Sequence, residues 1–471
     1  MHKQIIFKTT KTFRNKYVYD RHTNSIVRLS EEEFVELERV EKEELPFELS
    51  PVIRKYQESG LFAPNVVEKI ENPASMIIEQ YMNTRLKQLT LQVTQQCNLR
   101  CEYCTYSGIY GKHRTHSHRQ MGLETAKKAI NFFLQRCSSL SEITIGFYGG
   151  EPLLELDLIK TCVDYARNCV EGKKITFNMT TNGTLLTDET ADYLADNDFS
   201  LSISLDGSKE EHDASRKFVN GTGSFDVIIE NIKRINNRRP DFARKIQFMT
   251  TVNPYMDLGC TLEYFNTETV FSDKRIIFNS MNDVGLGKEL DYDDKYFMVR
   301  NYEYIKLLLS LAGKIGAEHV SPLMSGSRGA MERRLRSIHR HTELNSTMHH
   351  GGPCLPGVQR LFVRTDGALF PCERVNEALD FFKIGTLEDG FFLDKMKAIL
   401  NIGTVTEQEC KECTYLRHCS ICSGQIDFED ELTKECKLTG CARTEDNTLF
   451  ELNELCVLSE FGYNSEMRVV I

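Results

Sequence analysis

Six strand-like runs separated by helical stretches dominate the middle of this chain: LTLQVT (89–94), ITIGF (143–147), KITFNMT (174–180), SLSISL (200–205), KIQFMTTV (245–252) and RIIFN (275–279). Between them lie segments with helical periodicity, such as LETAKKAINFFLQRC and SFDVIIENIKRINN. Alternation at this spacing predicts parallel strands joined by crossover helices, hence an α/β fold built as an open partial barrel or a doubly wound sheet. In a parallel barrel the chemistry sits on the loops that follow the strands.

The first such loop holds CNLRCEYC, with Cys97, Cys101 and Cys104 directly after the first strand. A closed structural zinc site takes four ligands, and this motif supplies three. Three thiolates on a tight loop can wrap three corners of a cubane iron–sulfur cluster and leave one iron open. The competing reading is a zinc knuckle completed by His113, His116 or His118. Sixteen cysteines are present in all, three at 97–104 and nine from Cys354 to Cys456. Cys137, Cys162, Cys169 and Cys260 are scattered in apolar segments and read as small buried hydrophobes. The N-terminus, MHKQIIFKTTKTFRNK, does not resemble a signal peptide. No run approaches the ~20 apolar residues that span a bilayer. A cytoplasmic protein without a membrane partner is expected, where thiols stay reduced, so the cysteine clusters read as metal sites. A net charge of −10 argues against a nucleic-acid partner.

The flanks differ from this core. Residues 1–63 read as a small domain, with QIIFKT and a hairpin in KYVYDRHTNSIVRLS turning at Thr23-Asn24. Ser30 and Glu33 form a capping box for a helix reaching about Glu43. Ser50-Pro51 opens a second helix that Gly60 ends. A linker is expected at 63–85, and helices at 294–315 and 328–343. The domains expected are 1–75, 86–315 and 316–471.

The triad resembles the signature of the radical S-adenosylmethionine (radical SAM) superfamily, Cys-x3-Cys-x2-Cys after the first barrel strand. The resemblance implies a partial (β/α)6 TIM-like barrel and a 4Fe–4S cluster whose open iron is chelated by SAM. It also implies that Tyr103 sits beside the adenine. FYGGEP (147–152) is similar to the family's glycine-rich turn, which makes Gly149, Gly150 and Glu151 contacts of the SAM amino group, with glycines admitting a close backbone approach. TTNGT (180–184) and SLDG (204–207) resemble further family patterns. They make Asn182 and Ser204 candidate SAM contacts, and Arg216 a bidentate partner for its carboxylate. The plainer alternatives are a turn cap for Asn182 and a solvated surface residue for Arg216.

The C-terminal cysteines resemble the SPASM domain, which holds two auxiliary 4Fe–4S clusters. The pattern runs Cys354, Gly367, Cys372, then Cys410-x2-Cys413-x5-Cys419-x2-Cys422, then Cys436 and Cys441. Three residues usually separate the last two cysteines of that quartet, and here there are two. The resemblance implies that Cys354, Cys372 and Cys422 bind the first auxiliary cluster. Cys410, Cys413, Cys419 and Cys441 (or Cys436) would bind the second. Cys441 is preferred because Cys436 falls in a charged, loop-like stretch. The first auxiliary cluster is one ligand short; either His349 or His350 completes it, or it stays open to a substrate thiolate, which is the preferred reading. A zinc ribbon would leave Cys354 and Cys372 unexplained.

Residues 1–75 resemble the winged-helix-like RiPP recognition element, which binds leader peptides by adding a strand to its sheet; a structural cap on the barrel is the alternative. The three parts in this order resemble peptide maturases, and CNLRCEYCTYSGIYGKHRTHS resembles the ranthipeptide synthases. The expectation is a thioether synthase acting on a Cys-rich precursor peptide. A 5′-deoxyadenosyl radical would abstract hydrogen from a side-chain Cβ or Cγ, with three 4Fe–4S clusters, SAM, and a flavodoxin or ferredoxin as electron donor. The alternatives are a sactisynthase (sulfur to Cα), an anaerobic sulfatase-maturing enzyme, and a non-enzymatic iron–sulfur electron carrier.

Overall fold

The computed structural model describes residues 4–338 and 343–463. At the N-terminus β1 (Phe7–Lys11), β2 (Lys16–Asp20) and β3 (Ser25–Leu29) form an antiparallel meander. Helix α1 (Glu31–Glu41) opens on the expected Ser30/Glu33 capping box, and α2 (Pro51–Glu58) on a Ser50 cap with Pro51 in its first turn. Strand alternation divides this sheet between two cores. Val18 and Val27 face Phe34, Leu37 and Ile53 inside the domain. Tyr17, Tyr19 and Ile26 point the other way, onto Met331, Leu335, Leu452 and Leu455 near the C-terminus. Both faces are therefore buried.

The segment expected to be a linker is structured. It holds β4 (Lys69–Ile70) and α3 (Ile78–Thr84), whose Ile78 and Met82 join the central core. Short elements of this kind carry too few residues for a legible period, and here burial of two side chains holds them.

The six runs become β5 (Gln88–Thr94), β6 (Glu142–Gly149), β7 (Lys174–Thr181), β8 (Phe199–Ser204), β9 (Gln247–Val252) and β10 (Arg275–Ser280). They pair in parallel and in sequence order. The crossovers carry α4 (Leu123–Leu134), α5 (Leu156–Cys169), α6 (Asp188–Asp196), α7 (Lys209–Ser215), α8 (Phe225–Arg238), α9 (Pro240–Lys245) and α10 (Leu258–Thr267). Sheet and helices bury Leu89, Leu91, Val93, Ile145, Phe177, Leu201, Phe248 and Ile276 in one core. Helices α11 (Asp294–Leu311) and α12 (Ser325–Ile338) follow; residues 339–342 of the expected 328–343 helix lie outside the described residues.

β11 (Thr347–Met348) returns to pair with β4. β12 (Leu361–Val363) then adds to the open side of β5 in parallel, and β13 (Ala368–Phe370), β14 (Gly385–Thr386) and β15 (Gly390–Phe391) continue antiparallel. The C-terminal region is thus an extension of the barrel sheet to ten strands. It finishes with α13 (Leu393–Leu400), α14 (Glu407–Glu412) and the 27-residue α15 (Lys434–Glu460). Among the described residues no helix is long and apolar enough to cross a membrane.

Candidate functional site

Cys97, Cys101 and Cys104 lie at the C-terminal end of β5, half-buried. The glycine turn after β6 holds this loop. Gly150 N–H donates to the Thr94 carbonyl at 3.0 Å and Glu151 N–H to that of Gln96 at 2.9 Å. A Cβ on Gly149 would sit 2.2 Å from the Thr94 oxygen, and one on Gly150 2.1 Å from that of Gln96. The close approach expected for a ligand is thus made to the chain itself, by the segment that carries Cys97.

Glu151 and Asn182 extend this support. The Glu151 carboxylate, fully buried, accepts from Thr181 Oγ1 at 2.6 Å, Asn182 N–H at 2.7 Å and Leu153 N–H at 3.1 Å. Asn182 Nδ2 donates to Asn98 Oδ1 at 2.8 Å and approaches Cys97 Sγ at 3.8 Å. Its Oδ1 accepts from Thr184, so it caps the turn and steadies the cysteine loop at once. Ser204 ends β8, half-buried and paired with Met249 of β9.

Arg216 is a buried residue, not a solvated one, and its fork is engaged: Nε and Nη2 bind Asp206 at 2.7 and 3.3 Å. The Tyr103 hydroxyl also bonds Asp206, and Arg216 sits 5.3 Å from the Tyr103 ring centroid. Asp206 further accepts Thr251 N–H at 2.9 Å. This Tyr103–Asp206–Arg216 group ties the cysteine loop to β8 and β9. Asp206 lies within SLDG, and no signal in the sequence marks it as this junction. None marks Glu377 either, which accepts from Gln92 and Arg114. Arg114 in turn lies 3.2 Å over the Tyr106 ring, two residues after Cys104.

The donor set fits a cubane cluster. Leu99 N–H and Asn182 point at Cys97 Sγ, and Tyr106 N–H at Cys104 Sγ, the N–H···S pattern that a metal-bound thiolate uses. Burial pushes Cys97 up to about 11 and Cys101 up to about 12, so a cation must draw their protons off. Among the described residues no three Cys, His, Asp or Glu side chains converge as a single ion requires. The zinc knuckle is therefore not formed: His113 packs on Tyr110, His116 on Tyr106, and His118 Nδ1 meets Gln96.

The C-terminal thiols fall into two groups. Burial, then the charge of Glu373, pushes Cys372 up to about 11, with Cys354 and Cys422 adding to the shift; Cys354 is the most open of the three. Cys410, Cys413, Cys419 and Cys441 line one narrow cavity with His350 and Lys437. Cys436 is not among its walls. It stands in the first turn of α15, not in a loop, five residues before Cys441 on the same helix. His349 is engaged at both ring nitrogens, donating from Nδ1 to the His350 carbonyl at 2.8 Å and accepting Gly403 N–H at 3.0 Å. His350 faces the four-thiol cavity instead of completing the Cys354 group. Of the scattered cysteines, Cys137 and Cys162 are buried, but Cys169 and Cys260 are exposed.

Between the strand ends and the Cys372–Cys422 region lies a cavity of about 720 Å³. Tyr106, Tyr148, Thr251 and Asn279 line its barrel side, and Arg374, Ile421 and Arg443 its far side. Asp283 on its wall pairs with Arg443 at 2.8 Å. It is large enough for several side chains of a peptide.

Residues 91–262 match the radical SAM superfamily model, and the chain carries a radical SAM domain. The cysteine-type anaerobic sulfatase-maturating enzyme of Clostridium novyi (strain NT) is 26% identical over 352 residues, 71% of this chain and 86% of that protein. The solved structure of native anSMEcpe with bound AdoMet superposes with a TM-score of 0.58 at 20% identity, over 79% of this chain and 99% of that one. The same protein with AdoMet and the Cp18Cys peptide gives 0.57, again at 20% identity, over 80% and 99%. These superpositions establish the shared fold.

Proposed function

We propose that this radical SAM enzyme oxidises a cysteine-bearing side chain of a peptide or protein, in the manner of the cysteine-type sulfatase-maturating enzymes to which it is similar. The observation that carries this reading is the 720 Å³ cavity, set between the Cys97 loop and the Cys354/Cys372/Cys422 group. When bound, SAM on the Cys97/Cys101/Cys104 cluster supplies a one-electron source of a hydrogen-abstracting radical. The chain's own residues do the rest. The Gly149–Glu151 turn and Asn182 hold the cysteine loop, and Tyr103, Asp206 and Arg216 brace its second half. Tyr106, Tyr148 and the strand ends wall the reacting carbon from water. Removing a hydrogen atom leaves one further electron to dispose of, and the C-terminal thiols would hold the clusters that accept it. A flavodoxin or ferredoxin would deliver the electron that starts the cycle.

A second reading, thioether crosslinking of a ribosomal precursor peptide, is favoured by the three-thiol Cys354 group, where a substrate thiolate would complete the ligand set. The N-terminal meander would then hold the leader. Anaerobic incubation with SAM, reductant and cysteine peptides, read by mass spectrometry, tests both. Exchange of the thiol for an aldehyde supports the first reading. Loss of two hydrogens with a thiol blocked to alkylation supports the second. SAM cleavage that persists when Cys97, Cys101 and Cys104 are all replaced by alanine would remove the basis of either.

A further inference from the structure

Lys437 lies on α15 with no solvent exposure, and no carboxylate pairs with its ammonium among the described residues. Nζ donates to Thr406 Oγ1 at 2.5 Å and points at Cys410 Sγ at 3.6 Å. Two carboxylates stand on the cavity wall: Glu409 is bound to Lys434, and Glu445 Oε1 lies 4.0 Å from Cys413 Sγ. Across the same cavity, His350 is 2% exposed, and neither ring nitrogen has a hydrogen-bond partner. A buried ammonium with no carboxylate in ion-pair contact and a buried imidazole without a partner are both costly. Both line the cavity in which Cys410, Cys413, Cys419 and Cys441 gather. The shared chemical need is an anion that accepts hydrogen bonds and fills the space among four thiols. A cubane held by four thiolates is one.

We infer that Lys437 and His350 are positioning residues for the cluster of this four-thiol site, both donating hydrogen bonds to its sulfurs and the Lys437 ammonium neutralising part of its charge, so that it is more easily reduced than the other clusters of the chain. A buried positive charge and N–H···S bonds both stabilise the reduced form, which carries one more negative charge. The consequence is directional: this site becomes the acceptor for an electron leaving the substrate cavity. The inference rests on the four-thiol site holding a cluster, as proposed above.

The test is an anaerobic redox titration of the reconstituted full chain, followed by electron paramagnetic resonance, with iron and sulfide counted on each sample. Substituting Cys410 and Cys441 together by serine identifies the signal of this cluster; if that variant loses no iron, the proposed ligation fails before the inference is reached. With the signal assigned, Lys437→Met and His350→Phe should each shift its midpoint to lower potential, and the double variant further. Lys437→Arg should keep most of the wild-type value. If Lys437→Met loses this cluster while Lys437→Arg retains it, the counter-charge role stands. An unchanged midpoint in Lys437→Met at full iron content overturns the inference. So does equal loss of the cluster from the Met and Arg variants.

Discussion

Gly150 shows how little room the cysteine loop has. Its absent Cβ would lie 2.1 Å from the Gln96 oxygen and 2.9 Å from Cys97 N, both backbone atoms that cannot rotate away. Gly150→Ala must therefore push back the segment that carries Cys97. The expected result is a protein that folds with a lower melting temperature, on the order of 2 kcal/mol of strain, and that binds markedly less iron at this cluster. Normal iron content would mean that the loop tolerates the shift. Glu151 makes a second, pH-dependent prediction. Burial raises its carboxyl from the ordinary 4.5 to about 7, against three hydrogen bonds that favour the ionised form. The folded chain thus holds this proton more tightly than the unfolded chain. Stability from the group is full at acid pH and is lost as pH rises from 4.5 through about 7. Melting temperatures of wild type and Glu151→Gln, compared between about pH 5 and about pH 8, should diverge, with wild type losing more as pH rises. Parallel curves would show that Glu151 is ionised throughout.

Among the elements, α15 separates two cysteines that the sequence could not. Its first half, KECKLTGCART, is polar on most sides, so it lacks the apolar stripe that announces a helix and reads as a charged loop. Once helical, Cys436 and Cys441 differ by five residues and hence by more than a full turn, and they face different surroundings. Lys437 and Cys441, four apart, share a face and line the same cavity. Cys441→Ser should lower the iron content by one cluster and remove one paramagnetic signal, while Cys436→Ser should leave both unchanged. The reverse pattern would exchange their roles. The barrel strands were legible for the opposite reason: runs such as KITFNMT and SLSISL alternate apolar and polar residues before a turn signal, and long crossover helices such as α4 and α8 have a clear stripe. The Cys97 and GGEP motifs were legible as chemistry. Their mutual support was not, because hydrogen bonds such as Gly150 to Thr94 join residues remote in sequence.

At the scale of the whole molecule, the N-terminal meander and the four-thiol site are one mechanical unit. Arg21, in the β2–β3 turn, is 1% exposed and donates from Nη1 to the carbonyls of Lys411 at 2.7 Å and Cys413 at 3.1 Å. Arg417 answers from the same cysteine loop, donating to the carbonyls of Arg21 at 2.8 Å and His22 at 2.5 Å. The buried guanidinium of Arg21 and the half-buried one of Arg417 thus bind the backbone around Cys413 to a domain nearly 400 residues earlier in the chain. Hydrogen bonds to a charged group contribute about 1.5–3 kcal/mol each, and without Arg21 the Lys411 carbonyl keeps only Asn65 Nδ2 at 3.0 Å and that of Cys413 only a long contact with Leu416 N–H at 3.4 Å. Arg21→Ala should therefore do more than loosen the N-terminal domain. The expected outcome is partial loss of iron from the Cys410–Cys441 site, with the Cys97 cluster and its SAM cleavage retained, and a melting transition that splits or broadens. Arg21→Lys should recover part of the iron, since one ammonium can reach one of the two carbonyls. A peptide engaging the meander would act on the cluster through this same pair of arginines. If Arg21→Ala retains full iron and a single sharp transition, the two parts are merely adjacent, and no signal passes between them.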